Sequence, residues 1–466
     1  MPAMTIDGVA VNTEVAFDVL NPSTGEVFAQ APACSRLQLD QAMAAAAEAQ
    51  RSWRLDEGLR RAALEKAAAL LTAAGAEIAG LITAEQGKPL AGARREVTGA
   101  AGRMAYFASL DLPAEIIQDD DDARVEIVRR PLGVVAAITP WNFPIGLALW
   151  KVAPALRAGN TVVLKPSPFT PLSTLKLGEV VRDVFPPGVI NVVSGSDELG
   201  EWMSSHPVPR KVTFTGSIGT GQKVNAAAAP DLKRVTLELG GNDAAIVLDD
   251  ADPAAIAQKL FWSAFINNGQ ACAAVKRVYA PERLYRDVVD ALAAIASEVT
   301  VGDPTDDATL LGPVSTKPQL ERIVSLVANA VDRGAQIAAG GHRVDRSGFF
   351  FEPTVLAGVA DGVAIVDEEQ FGPALPVVAY RDLDDALERA NATNYGLGSS
   401  IWTSDPARGE AVAQQVEAGM TWVNGHAVSP VSHPFGGMKW SGLGVENGIW
   451  GLHSFSDMHV VHRAKR

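Results

Sequence analysis

Lys211-Val212-Thr213-Phe214-Thr215-Gly216-Ser217-Ile218-Gly219-Thr220-Gly221 is the stretch on which the fold reading turns. Its first half is rich in β-branched and aromatic residues and reads as a short buried strand. Glycines then break the strand, and the residues after Ser217 read as the opening of a helix. A strand that turns on glycine into a helix is the building unit of a parallel α/β sheet. Such a turn also lets backbone approach a pyrophosphate, with helix N-terminal N–H groups pointing at it. The spacing is G-x-x-G-x-G, not the common dinucleotide G-x-G-x-x-G, and glycines also serve plain turns.

Outward from this turn the texture repeats. Short apolar runs at 134–138, 161–164, 189–193, 212–215 and 236–239 alternate with helical stretches such as 172–184. A second series follows Gly241, with strands expected at 244–248, 277–280, 336–339 and 377–380. Helices are expected at 253–265, 282–298, 317–333 and 383–391. Alternation at this spacing predicts an α/β fold of two doubly wound domains joined near Gly240-Gly241. Before them, 38–86 is Ala-rich, with Leu64, Ala68, Leu71 and Ile78 at steps of three, four and seven, the spacing of amphipathic helices. Residues 119–132 and 453–466 fit neither series. Asp119–Asp122 followed by 124–130 reads as a solvated hairpin turn and its return strand, in preference to a metal site.

The chain has 466 residues, enough for two or three domains, with 47% hydrophobic and 20% charged residues. A net charge of -14 argues against nucleic acid or an anionic membrane as partner, because phosphate binding needs a basic footprint. Only two cysteines, Cys34 and Cys272, point to a reducing compartment. No signal-like start and no uninterrupted apolar span of membrane length is visible, so a cytoplasmic, soluble protein is expected. The seven histidines are scattered without ligand spacing, and no metal is expected.

Cys272 closes Phe265-Ile266-Asn267-Asn268-Gly269-Gln270-Ala271-Cys272, after a glycine-containing turn and before a strand. A lone cysteine is more often a small buried hydrophobe than a thiolate nucleophile. Glu238, between apolar residues and before Gly240-Gly241, is costly to bury unless it serves as a base or holds an ion pair. Asn142, in Thr139-Pro140-Trp141-Asn142-Phe143-Pro144, is stiffened by two prolines; its amide suits an oxyanion or an Asx turn. Lys151 reads either as a phosphate or ribose contact or as a snorkelling side chain. Lys165 ends a strand where ligands of open α/β sheets sit, placed for a ribose hydroxyl.

Together these residues resemble the aldehyde dehydrogenase superfamily. The resemblance runs from Asn21-Pro22-Ser23-Thr24-Gly25 to the tail. It rests on motifs in order: 139–144, Lys165-Pro166-Ser167, 214–221, 238–241, 269–272, Glu368-Glu369-Gln370-Phe371-Gly372-Pro373, 394–397 and 434–442. It implies two doubly wound α/β domains plus a small β oligomerisation element. The NAD(P)-binding domain would span 1–115 and 134–240, the catalytic domain 241–433, and the oligomerisation element 116–133 and 452–466. Homodimers or homotetramers, an aldehyde as small-molecule partner and no metal are implied with it.

By that resemblance Cys272 attacks the aldehyde, and Asn142 with the Cys272 N–H holds the oxyanion. Hydride passes to the nicotinamide, and Glu238 activates the water that hydrolyses the thioester; Lys151 is placed with this catalytic set. Cofactor contacts would come from Thr139, Pro140, Trp141, Lys165, Ser167, Gly216, Ser217, Gly221, Leu239, Gly240, Glu369 and Phe371. The aldehyde channel would be lined by Phe143, Leu147, Trp150, Ala271, Ala273 and Phe435, which suits neutral, apolar aliphatic or aromatic aldehydes. No arginine stands among these, although Lys276 is near enough in sequence to bear on the pocket. The family commonly has a Glu after Lys-Pro-Ser, and Pro168 stands here instead. Losing that carboxylate removes repulsion against a 2′-phosphate, so NADP is tolerated, with Lys165 and Lys176 as the nearby cations, while NAD is still ranked first. The competing readings are a coenzyme-A-acylating dehydrogenase, which usually lacks the Glu238 base, and a relative without catalysis.

Overall fold

The structure is a computed structural model and describes residues 2–465. Met1 and Arg466, the outermost residues of the expected spans 1–115 and 452–466, lie outside those described. The strand Lys211–Thr215 lies in parallel between Val134–Ile138 and Arg234–Glu238. Thr161–Lys165 and Ile190–Val192 continue the parallel run beyond Val134–Ile138. These strands are buried on both faces, which is why they read as continuous apolar runs. The chain's direction of travel across the sheet reverses between Val134–Ile138 and Lys211–Thr215. In an open α/β sheet that reversal leaves a crevice at the carboxyl ends of the two strands.

Gly240 and Gly241 carry the chain into a second sheet that begins with Asp243–Val247. Its order is Gln336–Ala339, Thr354–Val359, Ala374–Tyr380, Val275–Pro281, Asp243–Val247, Gly398–Trp402 and Met420–Val423. All pairings are parallel except that of Gln336–Ala339. Buried clusters cover its two faces, one around Ile246, Leu356 and Ile401, the other around Phe261, Val278 and Trp402.

Several strands lie outside the sequence expectation. Gly398-Ser399-Ser400-Ile401-Trp402 is diluted by glycine and serine, and Thr354–Val359 contains Gly358 at φ +68°. Met4–Ile6 and Val9–Val11 form a hairpin on one edge of the first sheet. Gly442–Leu443, from far along the chain, closes the other edge. Ala16–Asn21 and Glu26–Pro32 make a separate hairpin across the Asn21–Gly25 turn. Runs this short carry too little periodicity to read.

The Ala-rich stretch resolves into helices Arg36–Trp53, Glu57–Ala73 and Gly75–Gln86, followed by Leu90–Ser109. Ser35 and Gln38 form a capping box on the first, and Asp56 caps the second. Leu64, Ala68, Leu71 and Ile78 are buried as their spacing required. Among the described residues no single helix is long and apolar enough to cross a membrane; Glu57–Ala73 and Gly75–Gln86, bent by 67°, reach that composition only together. The segment 119–132 does turn and return. Asp120 accepts the N–H groups of Asp122 and Ala123, and Glu115–Asp119 pairs with Ala123–Pro131. Ser456–Ala464 adds the third strand of this small sheet.

A buried ion pair fixes the helix Pro144–Arg157 beneath the crevice. Lys88 Nζ lies 2.5 Å from Glu96 Oε2, with both side chains 4% exposed. Glu96 Oε1 accepts the N–H of Ile145 at 3.0 Å and of Gly146 at 2.9 Å, satisfying the orphan donors of that helix start. Lys88 also donates to the Asn142 carbonyl at 3.0 Å. Glu96→Ala strands a buried ammonium and two amides at once. It is expected to cost about 3–5 kcal/mol in urea unfolding; a loss below about 1 kcal/mol would show that this pair does not anchor the helix.

Candidate functional site

The crevice is a cavity of about 350 Å³. Its walls come from the carboxyl ends of the first sheet's strands (Pro140, Trp141, Asn142; Gly216, Ser217; Leu239, Gly240) and from Cys272, Glu369 and Phe371 of the second half. Thr215, Ile218, Gln319, Arg322 and Tyr395 also line it and were not foreseen. Gln319 and Arg322 sit on the helix Lys317–Asp332, where an amphipathic pattern gives no hint of a site. Gln319 binds the carbonyls of Gln370 and Phe371, and Arg322 that of Glu369, so both steady the opposite wall.

Cys272 reaches this cavity because of an unusual turn. Asn267, Asn268 and Gly269 take left-handed backbone angles in succession, at φ 51°, 58° and 68°. Asparagine tolerates that region better than other side-chain-bearing residues, and a Cβ on Gly269 would overlap the Gly372 carbonyl. Asn268 donates to the Gly312 carbonyl at 2.5 Å, and Lys276, itself buried, holds the Ala271 carbonyl at 2.5 Å. Lys276 therefore braces the turn from below and does not enter the channel. Asn142 Nδ2 donates to the Gln270 carbonyl at 2.9 Å, which brings the amide beside the cysteine turn. The Cys272 N–H carries no hydrogen bond among the described residues.

Burial pushes the Cys272 thiol up to about 12, with Glu238 raising it further and Lys276 lowering it. The thiol is partly exposed to the cavity, and Glu238, Asp243 and Glu369 around it all raise its pKa. Glu238 ends the strand Arg234–Glu238 and is 3% exposed, and neither carboxyl oxygen has a hydrogen-bond partner among the described residues. Burial, then the nearby Glu446, pushes its pKa well above the usual carboxylate range. A buried carboxyl with both oxygens free has room to take a water's proton, which a structural ion pair would not leave.

Lys151 departs from both readings offered for it. Its Nζ neither reaches a phosphate position nor snorkels to solvent. It is fully buried, 2.6 Å from Glu446 Oε1 and 3.3 Å from Thr213 Oγ1. There it lowers the Glu238 pKa that Glu446 raises. The physical reason is a buried acid, Glu446, which a sequence reading of the helix alone does not reveal.

The cofactor signals divide. Ser217 caps the helix Ile218–Ala228, and a side chain on Gly219 would meet only open space, so that helix start offers free N–H groups beside Gly216. A Cβ on Gly221 would collide with Leu239, and one on Gly240 with the Glu369 carboxylate. Glu369 accepts the Gly241 N–H at 3.1 Å, and burial pushes its pKa up to about 7. Trp141 and Phe371 meet edge to face at 5.3 Å, with Phe371 at φ 51°. The aromatic walls, open helix start and glycine-lined approach fit a dinucleotide.

Thr139, Lys165 and Ser167 lie on the same sheet edge but do not line this cavity. The Thr139 N–H bonds the Lys165 carbonyl, Ser167 Oγ accepts from the Phe169 N–H, and Lys165 Nζ donates to the Pro166 carbonyl at 3.3 Å. Burial lowers the Lys165 pKa to about 8. Lys176 is held by Glu77 at 2.9 Å and Glu179 at 2.7 Å, and so is not a free cation for a 2′-phosphate.

On the far side of Cys272, Ala273 and Phe435 are buried together with Leu397, and Trp150, Met420 and Ala427 pack against them. Trp150 and Phe435 meet edge to face at 5.0 Å. Leu147 and Ala271 are buried nearby in sequence, and the Phe143 ring carries Lys88 Nζ at 3.8 Å. Leu397, Met420 and Ala427 were not foreseen, since each is an ordinary core residue in type. Among the described residues no group of three or more His, Cys, Asp or Glu is placed to hold a metal ion.

A thiol held near 12 is almost wholly protonated at neutral pH, so its reactivity must climb with every unit of pH. Alkylation of Cys272 by iodoacetamide, without added cofactor, is expected to rise about tenfold per unit from roughly pH 7 to 10. A plateau below roughly pH 8 would contradict this environment.

The aldehyde dehydrogenase family model matches residues 9–461. The chain is 39% identical to a probable aldehyde dehydrogenase of a Pseudomonas species, covering 98% of this chain and 94% of that one. It is also 39% identical to the mitochondrial succinate-semialdehyde dehydrogenase of Arabidopsis thaliana, over 95% of this chain and 85% of that one. The solved structure of a Staphylococcus aureus betaine aldehyde dehydrogenase variant in complex with NAD+ superposes with a TM-score of 0.95. It is 32% identical, covering 100% of this chain and 96% of that one. With its two sheets, its thiol turn and its glycine-lined crevice, the chain belongs to the aldehyde dehydrogenase family, whose members oxidise aldehydes with NAD(P).

Proposed function

We propose that the chain oxidises a neutral, apolar aldehyde to a carboxylic acid through a thioester on Cys272. The observation that supports this is a thiol lining the cavity with a buried carboxyl outside that lining, Glu238, which is close enough to raise the thiol's pKa and has both oxygens free. Cys272 gives up its thiol proton to solvent, Sγ adds to the aldehyde carbon, and the carbonyl oxygen takes hydrogen bonds from the Cys272 N–H and the Asn142 amide. The aldehyde C–H bond then breaks, its electron pair leaving with the hydrogen as hydride, and the C=O re-forms as a thioester. When bound, the oxidised nicotinamide supplies a positive charge that favours the thiolate and an acceptor for the hydride. Glu238 then takes a proton from water as the hydroxyl adds to the acyl carbon, and the thiolate leaves. Lys151 and Glu446 act through Glu238 by setting its charge.

Residues 1–115 and 134–240 serve as the NAD(P)-binding domain, 241–433 as the catalytic domain, and 116–133 with 452–466 as the oligomerisation element. Ile116, Ile117, Met458, Val460 and Val461 are all more than 40% exposed on the small sheet, apolar surface suited to a second copy in a homodimer or homotetramer. The free state of both cysteines supports a cytoplasmic location. NAD is the preferred cofactor, and NADP is tolerated: of the two nearby lysines, Lys176 is already paired with glutamates, while Lys165 makes no ion pair among the described residues. Neither nucleic acid nor a membrane is proposed as partner.

An aldehyde panel read by nicotinamide absorbance, with NAD and NADP in parallel, tests the assignment. Cys272→Ala is expected to abolish oxidation, and Glu238→Gln to slow turnover about 10²–10⁴-fold while preserving an initial burst of reduced cofactor. The Glu238 pKa is raised, so the deacylation rate is expected to increase with pH as the carboxylate forms. Wild-type turnover by Glu238→Gln, or a clear win for an acidic semialdehyde, would overturn the corresponding part.

A further inference from the structure

We infer that Arg103 is a positioning residue for substrate selection, locking Trp150 and Phe435 into a clamp for a flat aromatic aldehyde. This rests on the assignment of Cys272 as nucleophile. Arg103 lies on the helix Leu90–Ser109, outside every motif that marks the family in this sequence, and is 9% exposed. Its guanidinium carbon stands 4.6 Å from the centroid of the Trp150 ring. Nη1 donates to Asn447 Oδ1 at 2.8 Å, and Nε is buried with no partner. Among the described residues Arg103 makes no ion pair. Burial lowers its pKa to about 10, so it stays charged at neutral pH.

A buried cation without an ion pair needs compensation, and here the indole face supplies it at contact distance while the nearby Glu446 also favours the charged form. That stacking fixes the plane of Trp150. The bond to Asn447 fixes the other wall, because Asn447 directly follows Glu446, whose backbone exchanges hydrogen bonds of 2.8 and 2.7 Å with Phe435. One side chain thereby registers both ring-bearing segments, and the rings meet at 5.0 Å and 80°. Ala273 and Ala427 pack in the same cluster as Cys272, Trp150 and Phe435. A planar ring placed there gains edge-to-face contacts that a saturated chain cannot make.

Steady-state kinetics of wild type, Arg103→Met and Arg103→Lys with benzaldehyde, acetaldehyde and 4-carboxybenzaldehyde test this. Wild type is expected to favour benzaldehyde over acetaldehyde in kcat/KM. Arg103→Met, which keeps volume but loses the planar cation, should raise the benzaldehyde KM about tenfold with kcat within about twofold. The acetaldehyde KM should move several-fold less, and 4-carboxybenzaldehyde should follow benzaldehyde. Arg103→Lys should show a smaller shift in the same direction, and carries the comparison should the methionine variant not fold. Equal effects on acetaldehyde and benzaldehyde, or no effect, would overturn the inference. A loss confined to 4-carboxybenzaldehyde would also overturn it, by making Arg103 a direct anion contact. Failure of the underlying assignment would appear separately, as acetaldehyde oxidation that survives Cys272→Ala.

Discussion

Everything in this protein is arranged around one constraint: a thiol and a buried carboxyl must be held close together where the two sheets meet. The first sheet brings Glu238 up at the carboxyl end of its strand Arg234–Glu238. The second brings Cys272 down on a turn that precedes its strand Val275–Pro281. Neither group is comfortable there. Glu238 raises the pKa of Cys272, Glu446 raises that of Glu238, and burial dominates both shifts. Such destabilisation of charge is how a site stores reactivity until a ligand changes the local field.

The surroundings keep those two groups in place at some cost. Three consecutive left-handed residues, Asn267, Asn268 and Gly269, are tolerated because Asn268 bonds Gly312, Asn267 bonds Asn142, and Lys276 grips the turn from beneath. Lys88 and Glu96 tether the helix start that follows Asn142. Lys151 and Glu446 form a second buried ion pair behind Glu238. Buried pairs of this kind are poor sources of stability, since desolvation offsets most of their attraction. Their value here is geometric, holding the amide, the acid and the thiol in register.

Much of this was legible in the residues. The glycine turn after Thr215 fixed the parallel architecture, and Cys272, Glu238 and Asn142 each carried a chemical reason to be singled out. Cys272 and Asn142 line one cavity, whereas Glu238 is buried outside its lining, close enough to raise the Cys272 pKa. What escaped was information that only the packing creates. Glu446 shows no motif, yet it decides where Lys151 points. Lys165 sits on the expected sheet edge but turns toward Pro166 and away from the cavity. Arg103 lies in an unremarkable amphipathic helix and becomes notable only once Trp150 is folded against it. Strands such as Gly398–Trp402 hide because buried central strands need no alternation, and their Gly and Ser residues imitate loops.

Mass spectrometry of the Glu238→Gln enzyme, quenched in acid during turnover with an aldehyde and NAD, is the most direct test of the account. An added acyl mass on the peptide that contains Cys272, absent from wild type under the same quench, is the predicted result. An unmodified Cys272 at the height of the burst, or the acyl group on another residue, would contradict it.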